Sequence, residues 1–225
     1  MMDASTGTAP APEFGYWSAG IMPGPLVEQR FPSRQRLLAL LATKSVALRG
    51  WNYPHIPKNE PPEGVRWLPD GGIEATTDVW QYHEVWRLHP TGLFTHRWRV
   101  REDGTSYRGT IHLVATIYTI AEIFEFGRRL YREDKTISEV MFRIQLEGVY
   151  GRLISGDMPF GEPYSGQASR NQSMHSVALP RVDLVAGALT ASVNAAESIL
   201  GQLGFTNIPP TFIEVTARQF LAGQT

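Results

Sequence analysis

The stretch Val79–Arg101, VWQYHEVWRLHPTGLFTHRWRVR, decides the fold. Successive strand side chains point to opposite faces, so alternate residues sort this stretch into two surfaces. Trp80, Tyr82, Glu84, Trp86 and Leu88 share one face of a first strand, and Phe94, His96, Trp98 and Val100 share it on a second. Between them, Pro90-Thr91-Gly92 suits a three-residue hairpin loop, a type I turn followed by a left-handed residue. Pro90 also pushes His89 toward extended geometry, as the end of a strand requires. The implied register pairs 88 with 94, 86 with 96, 84 with 98 and 82 with 100. The opposite face then carries Gln81, His83, Val85, Arg87 and His89 beside Leu93, Thr95, Arg97, Arg99 and Arg101. One face reads as core and the other as cationic.

Around this hairpin the chain has 225 residues, enough for one large domain with a real core. A hydrophobic share of 42% and a charged share of 19% are those of a globular chain. The net charge of −1 makes no global case for nucleic acid, so such a case must come from local clustering. With no cysteine, disulfides, thiolate metal sites and cysteine nucleophiles are excluded. The first 20 residues lack a basic region followed by an apolar run, and the most apolar stretch, Ile111–Phe124, is too short to span a bilayer. A cytoplasmic protein without membrane contact is the expectation.

Residues 1–30, rich in Ala, Pro, Gly and Thr, read as a flexible N-terminal arm, leaving 31–225 as a single α+β domain. A helical stripe of Leu37, Leu38, Leu40 and Leu41 follows Pro32, and the Pro- and Gly-rich segment Gly50–Gly72 reads as a surface loop. Leu113, Ile117, Ile120, Phe124 and Tyr131 recur at helical spacing in a helix expected over 109–133. Val140–Leu146 alternates as a strand, with a return strand over 149–154. A long loop covers 155–172, and a further strand Met174–Leu179. Asp183 opens a helix to Leu203, and Thr211 with Glu214 matches a capping box for a last helix. This order argues for an antiparallel β-sheet with helices packed on it. The Ala-rich helix over 183–203 is also a candidate surface for a homo-oligomer.

The chemistry is sparse. The histidines, His55, His83, His89, His96, His112 and His175, show no compact metal spacing, so no metal ligand is assigned. Walker loop, dinucleotide glycine fingerprint and nucleophile elbow are all missing, so no cofactor is expected. Glu84 is the discordant residue, a carboxylate on the aromatic face near Trp98 and diagonal to His96. Such a pair in a cleft is what a small hydrolase or nuclease needs for acid–base work, and equally what a satisfied structural carboxylate looks like. The basic face of Arg87, Arg97, Arg99 and Arg101 is the leading binding candidate, since guanidinium groups at alternate positions can follow phosphates or acidic side chains. A solvated face tied to carboxylates such as Glu102 or Glu147 is its structural counterpart. In Arg49–Ile56, RGWNYPHI, residues Trp51, Tyr53 and His55 alternate and either line a pocket or cover an end of the sheet.

RGWNYPHI followed by His83–Phe94, HEVWRLHPTGLF, resembles the region after the Schlafen-AlbA type domain in some bacterial proteins, over roughly residues 35–135. Arg49, Gly50, Trp51, Pro54, His55, Glu84, Trp86, Arg87, Gly92 and Phe94 carry the likeness, and none is a catalytic signature. The Schlafen-AlbA domain itself is not found in this sequence. The resemblance implies an accessory or sensing module of a bacterial cytoplasmic system, one concerned with nucleic acid or defence. The sequence therefore favours a non-enzymatic binding module that recognises a partner protein or nucleic acid through the arginine face. A hydrolase using Glu84 and His96 is the alternative.

Overall fold

The structure, a computed structural model, describes residues 14–31, 33–56, 64–79, 82–156 and 166–224. The expectations for Trp80 and Gln81, for the start of the arm and for the middle of the 155–172 loop fall outside those residues. In chain order the elements are β1 (Tyr16–Gly24), α1 (Arg34–Lys44), β2 (Val65–Trp67), β3 (Ile73–Val79), β4 (Tyr82–Leu88), β5 (Phe94–Arg99), β6 (Thr110–His112), α2 (Leu113–Tyr131) and β7 (Glu139–Glu147). They continue as β8 (Leu153–Ser155), β9 (Gly166–Gln167), β10 (Gln172–Pro180), α3 (Arg181–Ala186), α4 (Leu189–Gln202) and α5 (Pro210–Leu221).

Seven strands form one antiparallel sheet in the order β10-β7-β1-β5-β4-β3-β2. A small second sheet runs β6-β8-β9. Helix α2 lies on β1 and β7 and packs against α4 and α5, with α1 beside it. This is the α+β architecture that the order of the expected elements implied. The central hairpin has the expected register, Glu84↔Trp98, Trp86↔His96 and Leu88↔Phe94. Its turn closes as the Pro-Thr-Gly loop requires. Gly92 has φ +93°, and His89 N donates to Leu93 O at 2.9 Å. A side chain at 92 would be strained by that backbone and would also meet Pro23 at 2.9 Å.

The arm needs correction over residues 16–24. They form β1, an interior strand paired with β5 on one side (Trp17↔Trp98) and with β7 on the other (Trp17↔Leu146). The segment YWSAGIMPG has linker-like composition, yet Trp17, Ala19 and Ile21 alternate inward and are buried. Pro23 lies beyond the β1–β5 ladder, which ends at Ile21↔Phe94, so its missing N–H breaks no pairing on that side.

Other boundaries move for local reasons. The first hairpin strand starts at Tyr82, and Val79 belongs to β3, which pairs with β4 from Ile73↔Leu88 to Val79↔Tyr82. The return strand after β7 does not pair with it; β8 joins β6 and β9, and β10 takes the edge beside β7. The helix over 183–203 is two, because Gly187 is extended and ends α3. Thr211 and Glu214 make no capping box: Pro209 is the N-cap of α5, and Glu214 pairs with Arg218 one turn on. At the centre of the core, α2 sits so close to β7 that a Cβ on Gly127 would stand 2.6 Å from the Phe142 ring.

Candidate ligand cleft

A cleft of about 680 Å³ opens where the 49–53 loop, the first half of α2 and the turn after β5 converge over the end of the sheet. The loop is pinned first. Val46 and Tyr53 exchange both backbone hydrogen bonds (2.9 and 2.8 Å), and Trp86 Nε1 donates to His55 O at 2.7 Å. These ties seat the Tyr53 ring against His96 (5.1 Å), Trp98 (5.7 Å) and Phe126 (5.7 Å). Trp51 is left 43% exposed, with its indole stacked on His55 at 4.2 Å and met edge-on by Tyr82 at 5.4 Å.

The facing wall is a helical stripe. Ala115, Thr116, Thr119 and Glu122 follow the spacing that puts side chains on one face of α2. Arg49 crosses to that wall, forking onto the Glu122 carboxylate through Nε (3.1 Å to Oε1) and Nη2, with Thr119 Oγ1 at 3.4 Å. The third wall is Val100–Thr105. It is held by a buried pair in which Arg152 donates to both Asp103 oxygens (2.5 and 2.8 Å) while Gly15 N donates to Oδ2 at 2.6 Å. Trp17, Trp98 and Leu146 form the floor.

Burial, reinforced by the nearby Glu122 and Glu84 charges, holds the Tyr53 hydroxyl well above the usual phenol range. Burial and Glu84 do the same for Tyr82. Both phenols therefore stay protonated near neutrality. Burial also raises Glu122, against the opposing pull of Arg49.

Glu84 and His96 are brought together as expected, with His96 Nε2 3.0 Å from Glu84 Oε2 and Tyr82 Oη donating to the same oxygen at 3.2 Å. They are only 1% and 3% exposed and do not line the cleft. Glu84 Oε2 thus has two partners, while Glu84 Oε1 and His96 Nδ1 are buried with no hydrogen-bond partner among the described residues. Trp51 lines the cleft, and His55 is the surface on which its indole stacks. The four arginines are split. Arg87 is tied to Glu74, which also binds Arg66, and Arg97 to Glu147 at 2.6 Å with its guanidinium 4.5 Å above Tyr16. Arg99 lies over Phe14 at 4.0 Å. Arg101 is not on that face: β5 ends at Arg99, the chain turns, and Arg101 lines the cleft.

Arg49, Tyr82, Glu122 and Trp17 complete the site beyond the sequence candidates. Glu122 had a visible signal, a carboxylate inside the most apolar helix. Trp17 had a weaker one, standing with Phe14, Tyr16 and Ile21 as apolar residues able to dock within a segment whose composition reads as linker. Among the described residues no three His, Asp or Glu side chains cluster as a metal site, and no helix is long and apolar enough to cross a membrane. Comparison of the chain with models of protein families, with curated proteins and with solved structures gives no match.

Proposed function

We propose that this protein is a non-enzymatic binding module, sensing or accessory in role, whose ligand is a small molecule held in the cleft between the 49–53 loop and α2. The observation that carries this reading is the cleft itself. Its 680 Å³ lies within the roughly 300–1,000 Å³ of small-molecule sites. Trp17, Trp51, Tyr53, Tyr82 and Trp98 give it a large aromatic surface, and Trp51 and Arg49 are held by their neighbours, which lowers the ordering cost of binding. The hydrolase alternative is weaker, because Glu84 and His96 lie beneath Tyr53 and Trp98 rather than beside a substrate. A general base must come within hydrogen-bond reach of its proton.

The outer sheet face is a second surface for the same module, suited to a partner protein or nucleic acid. Arg143 favours it: exposed and, among the described residues, without an ion pair, it stands beside Gly20 and Arg97 in a shallow hollow of about 570 Å³.

The test is a thermal-shift screen of soluble small molecules against the wild type, Ala115→Phe, which fills the cleft from a half-buried position, and the outer-face variant Arg97→Glu/Arg143→Glu. Compounds that raise Tm in the wild type and the outer-face variant, but not in Ala115→Phe, support the cleft. Hits indifferent to Ala115→Phe contradict it.

A further inference from the structure

We infer that the ligand of the cleft is a planar anion of mononucleotide size, stacked on Trp51 with its acidic group held by Arg101; this rests on the cleft being the ligand site. Charge gives the first argument. Four charged side chains line the cleft: Arg49, Arg101, Glu102 and Glu122. Arg49 and Glu122 neutralise one another, and Glu102 Oε1 accepts from His112 N at 2.9 Å. Arg101 is exposed and has no hydrogen bond or ion pair among the described residues, although it is close enough to Glu122 to favour that residue's charged form. The lining charges sum to zero, but among the described residues Arg101 is the lining guanidinium left without a hydrogen-bond or ion-pair partner, and its fork fits phosphate or carboxylate oxygens.

Shape gives the second. Trp51 offers an indole already fixed by its stack on His55 and its edge contact with Tyr82, so a flat ring gains stacking without ordering a loose side chain. Asn52, Thr116 and Thr119 supply donors and acceptors around that ring. A free nucleotide suits the site better than a strand. The arginines able to track a phosphate backbone, Arg87 and Arg97, lie on the other face of the sheet and are each tied to a carboxylate.

Calorimetric titration with AMP, GMP, CMP and UMP, their nucleosides, inorganic phosphate and a dA oligonucleotide tests this. At least one mononucleotide binds, on the order of tenfold more tightly than its nucleoside and than phosphate alone. Arg101→Gln brings the nucleotide to the level of the nucleoside and leaves the nucleoside unchanged, whereas Trp51→Ala weakens both. A nucleoside binding as tightly as its nucleotide, an Arg101→Gln variant with unaltered nucleotide affinity, or binding of the oligonucleotide alone overturns the inference. If compounds of another class bind the cleft and no nucleotide does, the ligand class is wrong and the cleft stands. If nothing in the small-molecule screen depends on Ala115, the cleft falls with it.

Discussion

The Arg49 guanidinium forks onto the Glu122 carboxylate and so ties the 49–53 loop to α2 across the cleft. Glu122 is almost fully buried, and burial already disfavours its charge. Arg49→Ala leaves that carboxylate uncompensated, and the expected loss is about 3 kcal/mol of unfolding free energy by urea titration. Arg49→Met with Glu122→Leu recovers most of the loss, because the pair's desolvation cost disappears with both charges.

The Asp103–Arg152 pair holds the opposite wall of the cleft and the start of β1. Both side chains are buried. Asp103→Ala strands a buried guanidinium and the Gly15 N–H, so a loss of about 3–5 kcal/mol is expected, visible as a large drop in Tm. Asp103→Asn keeps the Gly15 hydrogen bond and costs less.

Gly127 is where α2 comes closest to the sheet. A methyl group there would overlap the Phe142 ring, so Gly127→Ala destabilises by roughly 1–3 kcal/mol despite alanine's better helix propensity. Phe142→Leu made in the Gly127→Ala background costs less than Phe142→Leu in the wild type, as a double-mutant cycle reports.

Acid stability follows from Glu125. Burial pushes its carboxyl up, but the hydrogen bonds and charges of Arg128 and Arg129 outweigh burial and hold it below its ordinary 4.5. A lowered folded-state value means the unfolded chain binds the proton more readily. The stabilisation is therefore present above pH 4.5 and is lost as pH falls through the folded value. Urea titrations over a pH series are expected to show an acid limb that is shallower in Glu125→Gln. Glu122, raised by burial, acts with the opposite sign: its contribution to stability falls as pH rises above 4.5.

The fold was legible where alternation met turn chemistry. Leu88, Trp86 and Glu84 pair with Phe94, His96 and Trp98 because Pro90 and Gly92 fix the turn and one face must be buried. It was illegible where composition and periodicity disagree. β1 has Gly20, Pro23 and Gly24 in nine residues, and only its neighbours β5 and β7 make a strand of it. β3 carries Glu74 on its outer side, buried only because Arg66 and Arg87 cover it, and Thr77 within. Part of the site was readable, since Trp51 and Tyr53 stand in one segment, whereas Glu84 and His96, which share one strand face, lie outside the cleft lining. The rest is tertiary. That Arg101 leaves the basic face depends on β5 stopping at Arg99, and that Glu122 meets Arg49 depends on how α2 lies on the sheet.

The most direct measurement is backbone-amide chemical-shift mapping with the compounds that raise Tm. The cleft reading predicts shifts concentrated at Asn52, Ala115, Thr116 and Thr119, with the outer sheet face silent. Shifts confined to Ser18, Gly20, Thr95 and Arg143 would contradict it and move the binding site to the opposite side of the sheet.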